Sequence, residues 1–158
     1  MPNTPPAILN NDVYTRHARL LCSTYEQWTG RELLANASMT SDLAQRLFHT
    51  PYVLASHGTE DDPIFNFANA AALNLFEMTW DEFVRLPSRQ SAEPINQQER
   101  LALLSRVTDN GFIDDYRGVR ISATGKRFLI ERATVWTLVD SKGTYRGQAV
   151  RFDQWIYV

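Results

Sequence analysis

The run Pro87-Ser88-Arg89-Gln90-Ser91-Ala92-Glu93-Pro94 gathers a cation, hydroxyls and a carboxylate into one proline-bounded segment. In a ligand clamp built from this segment, Arg89 meets a ligand carboxylate or phosphate through paired, charge-assisted hydrogen bonds, with Ser91 and Glu93 as its polar neighbours. The same groups would also hold the segment itself together, with Arg89 or Ser91 pairing with Glu93 or with backbone. A second group follows in Asp114, Asp115, Tyr116, Arg117 and Arg120. Alternate residues of a strand face opposite sides, so one side of this segment faces solvent or a second subunit. Tyr116, Arg120 and Arg127 are candidates to line an interior instead. Asn66 and Asn69 can hydrogen-bond a ligand, although Asn69 also stands where a helix cap belongs. Trp136 offers either a stacking surface or a core aromatic whose indole N–H needs an acceptor.

The elements that must position these residues are legible in the spacing. Residues 1–6 are rich in proline and polar residues and read as a frayed end. From Asp12 to Trp28 the larger side chains Val13, His17, Leu20, Leu21, Tyr25 and Trp28 recur at intervals of three and four, which predicts a helix capped at Asn11 or Asp12 and ended by Gly30. A second helical piece covers Leu33, Leu34 and then Ser41 to Phe48. Tyr52 to Ala55 and Ile64 to Ala68 read as two strands, joined by a connection long for a tight hairpin.

A short helix follows Asn69. Thr79 opens the next one with a capping box to Glu82, and Met78 is placed to staple onto Phe83. Pro87 ends it. Asn96 and Glu99 open a longer helix whose stripe is Leu101, Leu103, Leu104 and Val107, closed by Asn110 and Gly111. The last third reads as three strands: Ile113 to Ser122, with a bulge or close backbone contact near Gly118; Arg127 to Val139; and Tyr145 to Trp155. On the middle one Phe128, Ile130, Thr134, Trp136 and Leu138 share a face, which Arg132 interrupts and where a buried arginine would need a partner. The fold class is α+β, an antiparallel five-stranded sheet with helices on one face, preceded by an N-terminal helical segment. Residues 1–50 form a helical extension, packed on the core or dimerising it, and residues 51–158 form the core.

Composition narrows the functions. At 158 residues one core is expected rather than two domains, and no run approaches the roughly 20 apolar residues of a membrane helix. The N-terminus lacks the pattern of a signal peptide, so the expected compartment is cytoplasmic. A formal charge of −2 gives no long-range pull on phosphate backbones, so no nucleic acid is expected. Cys22 is the sole cysteine, which excludes an intrachain disulfide, and no Cys/His cluster has zinc spacing.

The order of elements resembles the PAS fold. The strings IFNFANAAALNLFEMTWDEFVRLPSRQSAEPINQQERLALL and GFIDDYRGVRISATGKRFLIERATVWTLVDSKGTYRGQA are similar to the MEKHLA domain, a PAS-like family found in small bacterial proteins and at the C-terminal end of plant homeodomain-leucine zipper regulators. The resemblance implies a non-enzymatic sensory or regulatory module responding to light, oxygen or redox state, with the segment from Pro87 to Pro94 at the mouth of its cavity. It names no ligand and no cofactor. No homeodomain or leucine heptad is present in these residues, so the DNA-linked role of the plant proteins does not carry over.

By analogy with the PAS branch of light-oxygen-voltage domains, flavin photochemistry needs a cysteine in the helices after the second strand. Asn69 to Leu86 has none, and Cys22 reads as a small buried hydrophobe, which argues against that chemistry. Haem is also disfavoured, because His17, His49 and His57 all lie off the helix from Gln97 to Asn110 where its ligand would be expected. The expected partners are a small-molecule ligand or a second copy docked through the N-terminal helix or sheet face; exposure of Val13, Leu20 or Tyr25 would favour the second copy. An enzymatic alternative exists in the conical α+β fold of ketosteroid-isomerase-like proteins, with Asp114, Asp115 and Tyr116 as pocket groups. Adjacent strand residues do not all point inward, however.

Overall fold

The computed structural model describes residues 4–93 and 96–158, and of Gln97 only the backbone. The first three residues of the expected frayed end, and the Pro94 boundary, lie outside the described residues. Five helices are defined: α1 (Asp12–Thr29), α2 (Leu43–Phe48), α3 (Ala70–Phe76), α4 (Trp80–Phe83) and α5 (Gln97–Asn110). The strands are β1 (Val53–His57), β2 (Phe65–Ala68), β3 (Phe112–Ile121), β4 (Arg127–Val139), β5 (Tyr145–Phe152) and β6 (Gln154–Tyr157). They form one antiparallel sheet in the order β2-β1-β5-β4-β3, with β6 paired to β4 along Phe128–Glu131.

The sheet therefore has six strands rather than five. The run expected as one strand from Tyr145 to Trp155 breaks at Asp153, and the chain resumes as β6 on the part of β4 that β5 leaves uncovered. The local signals for the helices act as anticipated at α1, where Asn11 accepts from the Val13 amide, and at α4, where Thr79 and Glu82 form the reciprocal capping box. Asn96 precedes α5 but makes no side-chain cap.

A correction concerns β4. Arg132 is exposed, not buried, and adopts φ of 52°. Tyr116 pairs with Ala133 and Gly118 with Ile130, so Glu131 and Arg132 together oppose the single residue Arg117. This bulge changes the phase of the strand. Phe128, Ile130, Ala133 and Val135 face α3 and α5, whereas Thr134, Trp136 and Leu138 turn to the other side. The single face expected for Phe128 through Leu138 is thus divided between two.

On that other side lies α1. Trp136 is fully buried, its Nε1 donates to Thr24 Oγ1 at 2.9 Å, and its ring meets Tyr25 edge-on with centroids 4.9 Å apart. Trp28 Nε1 donates to the Thr137 carbonyl at 2.9 Å. Tyr25 is consumed in this packing, while Val13 remains 57% exposed.

His17, on the same face of α1, lies 2.9 Å from Ser56 Oγ, which in turn donates to Asn66 Oδ1. Burial pushes the His17 imidazole down to about 4 from an ordinary 6.5. Between those values the unfolded chain holds the proton that the folded one excludes, so stability is lost as pH falls from 6.5 towards 4, by up to about 3 kcal/mol, and this residue adds no slope above 6.5. His57, also lowered by burial, acts in the same direction. Urea midpoints at pH 7.5 and pH 5 are expected to differ accordingly, and His17→Gln should flatten part of the profile; an unchanged profile would assign the acid sensitivity elsewhere.

Candidate functional site

The sheet face opposite α1 carries a cavity of about 80 Å³ beneath α5. Its floor is Ala55, Ile130, Val135 and Val150, and Leu103 and Leu104 of α5 cover it. Ala55, Val150 and Val135 are cross-strand partners, so register alone brings three small or branched residues into one smooth patch. The next row across the sheet, Phe65, His57, Gln148 and Thr137, is also set by register and is mostly polar. Above it the short 3-10 turn Ser88–Ser91 supplies two buried hydroxyls.

The helical spacing of α5 explains an unexpected member. Arg100, Leu103 and Val107 lie at i, i+3 and i+7, and all three are buried. Leu101, read as part of the apolar stripe, is instead 61% exposed. Arg100 donates through Nη2 to the Ser88 hydroxyl, and Ser91 Oγ donates to the Ser88 carbonyl at 2.7 Å. From β3, Arg120 enters the same cavity with its guanidinium 5.3 Å from the centre of the Tyr116 ring and one donor on the Val119 carbonyl.

As whole residues both arginines are more than nine-tenths buried, and no ion pair of the described residues includes either of them. Burial, followed by the neighbouring charge of Arg120, depresses the pKa of Arg100. Burial raises that of Tyr116, against the pull of Arg120. His57 Nδ1 lies 3.0 Å from the Gly58 carbonyl, which fixes the proton there and leaves Nε2 as an acceptor in the neutral ring. That Nε2, Gln148 Oε1, Thr137 Oγ1 and the Tyr116 hydroxyl are buried polar atoms with no well-formed hydrogen bond among the described residues, although the Arg120 guanidinium lies near enough to the Tyr116 hydroxyl to act on its pKa. Such orphans are rare in folded proteins, and three of the four stand in one cross-strand row.

Of the residues singled out from the sequence, Ser91, Tyr116 and Arg120 come together at this cavity. The others do not. Arg89 reaches Asp62, with Nε 3.0 Å from one carboxylate oxygen, in an exposed pair rather than pairing with Glu93. Glu93 accepts from Arg127, which ties the loop to the start of β4 and removes Arg127 from the interior. Asn66 turns to the α1 face and binds Ser56. Asn69 is fully buried as the cap of α3 and spends its amide on protein groups. Trp136 lies across the sheet against α1.

Asp114 and Asp115 form exposed ion pairs with Arg31 and Arg106, so the isomerase-like arrangement of carboxylate beside tyrosine in a pocket is not present. Cys22 sits in α1 among residues of the α2 side, its thiol pushed up to about 12 by burial. His57 belongs to β1 instead of the polar turn after it. Arg100, His57 and Gln148 were missed by sequence reasoning, and Ser88 was seen only as one hydroxyl of the run from Pro87 to Pro94. For Arg100 a signal existed in its helical spacing to Leu103 and Val107; for Gln148 and His57 only the register of two distant strands brings them together.

An antiparallel path of five strands, with short helices between its second and third strands and a cavity on one face, has the architecture of the PAS fold, to which β6 is an addition. Solved structures agree at the level of fold: the PAS domain of a protein from Colwellia psychrerythraea superposes with a TM-score of 0.60 at 12% identity, covering 70% of this chain and 92% of that one. A light-oxygen-voltage domain studied with a flavin analogue gives 0.59 at 14% identity, covering 77% and 87%. The light-state dimer of the fungal blue-light photoreceptor Vivid gives 0.52 at 18% identity, covering 65% and 76%.

The chain belongs to the MEKHLA domain family, whose model matches residues 15–157. Among curated proteins it is similar to the homeobox-leucine zipper proteins ATHB-14 of Arabidopsis thaliana, 29% identical over 147 residues, and HOX29 of Oryza sativa, 29% identical over 132 residues. It aligns over 89% and 79% of its own length but spans only 17% and 15% of theirs. No helix of the described residues is long and apolar enough to cross a membrane.

Proposed function

We propose that this domain is a sensory or regulatory module that takes a small molecule into the cavity between the sheet and α5 and performs no chemistry on it. The observation that carries this reading is the pair of buried polar atoms at the cavity with no partner among the described residues, His57 Nε2 and Gln148 Oε1. A ligand satisfies such groups where the protein does not. Strand β1 supports a route outward, since it presents His57 to the cavity and the adjacent Ser56 to His17 of α1. A flavin, as in the light-oxygen-voltage relative, would meet no thiol on α3 or α4.

Native mass spectrometry of the protein purified from its own cells tests this. The expected result is a bound small mass that dissociates on denaturation, with an absorbance spectrum that separates a coloured cofactor from a colourless metabolite. Protein that is consistently empty, and that no small molecule stabilises, would overturn the reading.

A further inference from the structure

We infer that the occupant of the cavity is a small organic carboxylate bearing a hydrogen-bond donor, its carboxylate held by Arg100 and Arg120 and its donor directed at the acceptors of His57 and Gln148. This rests on reading the cavity as a ligand site. Two cations from separate elements, α5 and β3, enter one cavity with relative residue exposures of 6% and 8% and no carboxylate partner among the described residues. A guanidinium does not escape burial by losing its proton, and it fits a carboxylate with two parallel N–H donors.

The protein's own acids leave this need unmet. Asp62, whose charge reaches Arg100, is bound to Arg89, and Glu99, whose charge reaches Tyr116, is exposed on α5. One shared anion would offset both desolvated charges and the repulsion between them. The remaining surface decides what else the anion carries. Val135, Val150, Ala55 and Leu103 ask for hydrocarbon, which a bare inorganic ion lacks. His57 Nε2 and Gln148 Oε1 accept hydrogen bonds, so the skeleton must also present a hydroxyl or comparable donor.

The test uses the full chain, a panel of two- to six-carbon carboxylates including lactate, propionate, malate and succinate, the amides of the same skeletons, and inorganic phosphate. Thermal shift and calorimetric titration are expected to show saturable stabilisation by at least one hydroxycarboxylate, at least tenfold weaker for its amide and weaker for its deoxy analogue, on the order of what one charge-assisted contact supplies. Arg100→Gln and Arg120→Gln should each weaken binding by a similar factor. Their unliganded melting and near-ultraviolet circular dichroism report whether the fold is kept, and Arg120→Lys, which retains charge without the paired donors, should bind better than Arg120→Gln. Binding of phosphate in preference to every carboxylate, or equal binding by the arginine variants, overturns the inference. A neutral molecule found by mass spectrometry in protein from the host overturns it while leaving the ligand-site reading intact; an empty protein that nothing in the panel stabilises overturns both.

Discussion

Replacing Asn69 by alanine lowers the unfolding free energy by about 4 kcal/mol and the melting temperature by roughly 10 °C. This residue is a junction in its own right. Its Oδ1 accepts from the amides of Leu54 at 3.0 Å and Ala72 at 3.1 Å, and its Nδ2 faces the Leu47 carbonyl, Thr50 Oγ1 and the Tyr52 carbonyl. Those partners belong to the end of α2, the loop after it, β1 and the first turn of α3. Truncation leaves several buried donors and acceptors without partners at once, each worth about 1–3 kcal/mol, and no water reaches a residue with zero exposure to replace them. Asn69→Asp keeps the volume but sets a buried, charged oxygen against the Leu47 and Tyr52 carbonyls, so it should be no milder. Denaturant titration of the variants decides the matter; a loss below about 1 kcal/mol would mean that the neighbouring backbone finds new partners.

Gly147→Ala should cost about 3 kcal/mol for a different reason. At φ of 123° the residue occupies a region that side chains rarely tolerate, and an added Cβ would stand 2.0 Å from the His57 carbonyl oxygen. Backbone cannot yield as a side-chain tip does, so β1 and β5 must part beside Gln148, at the polar row of the cavity. Amide exchange at His57 and Gln148 should therefore accelerate more than at Leu54 or Arg151. As a control, Gly125 also has positive φ but open space around its Cβ position, and its alanine variant should lose only about 1 kcal/mol. Equal losses at the two glycines would show that conformation, not contact, sets the penalty.

These two positions also mark how far the sequence could be read. Helix-forming signals are local: Asn11, Thr79 with Glu82, and Gly30 act within a few residues of themselves, as does Asn69 in its role as cap of α3. The fold class and the succession of elements along the chain are accordingly legible, whereas the split of the last run into β5 and β6 is not. The candidate site was legible in part, through Ser91, Tyr116 and Arg120, because a polar residue on a predicted strand or turn near the cavity has few places to go. For Arg89 and Glu93 the ion-pair partners, Asp62 and Arg127, lie 27 and 34 residues away in sequence, beyond the reach of local spacing. Gln148 and His57 became neighbours only through pairing of β1 with β5, separated by nearly the whole core. Trp136 was placed on the wrong side because strict alternation was carried across Arg132.

That last feature works as a reading frame written into the backbone. Downstream of the extra residue, even and odd positions of β4 exchange destinations, so Val135 reaches the cavity and Trp136 reaches Thr24 only while the insertion is present. Deleting one residue there would move the indole into a space sized for valine and leave α1 facing a hole, although every other side chain of the strand would remain in the sequence. Evolution can therefore vary the composition of this strand, and with it the chemistry of the chamber, far more freely than its length.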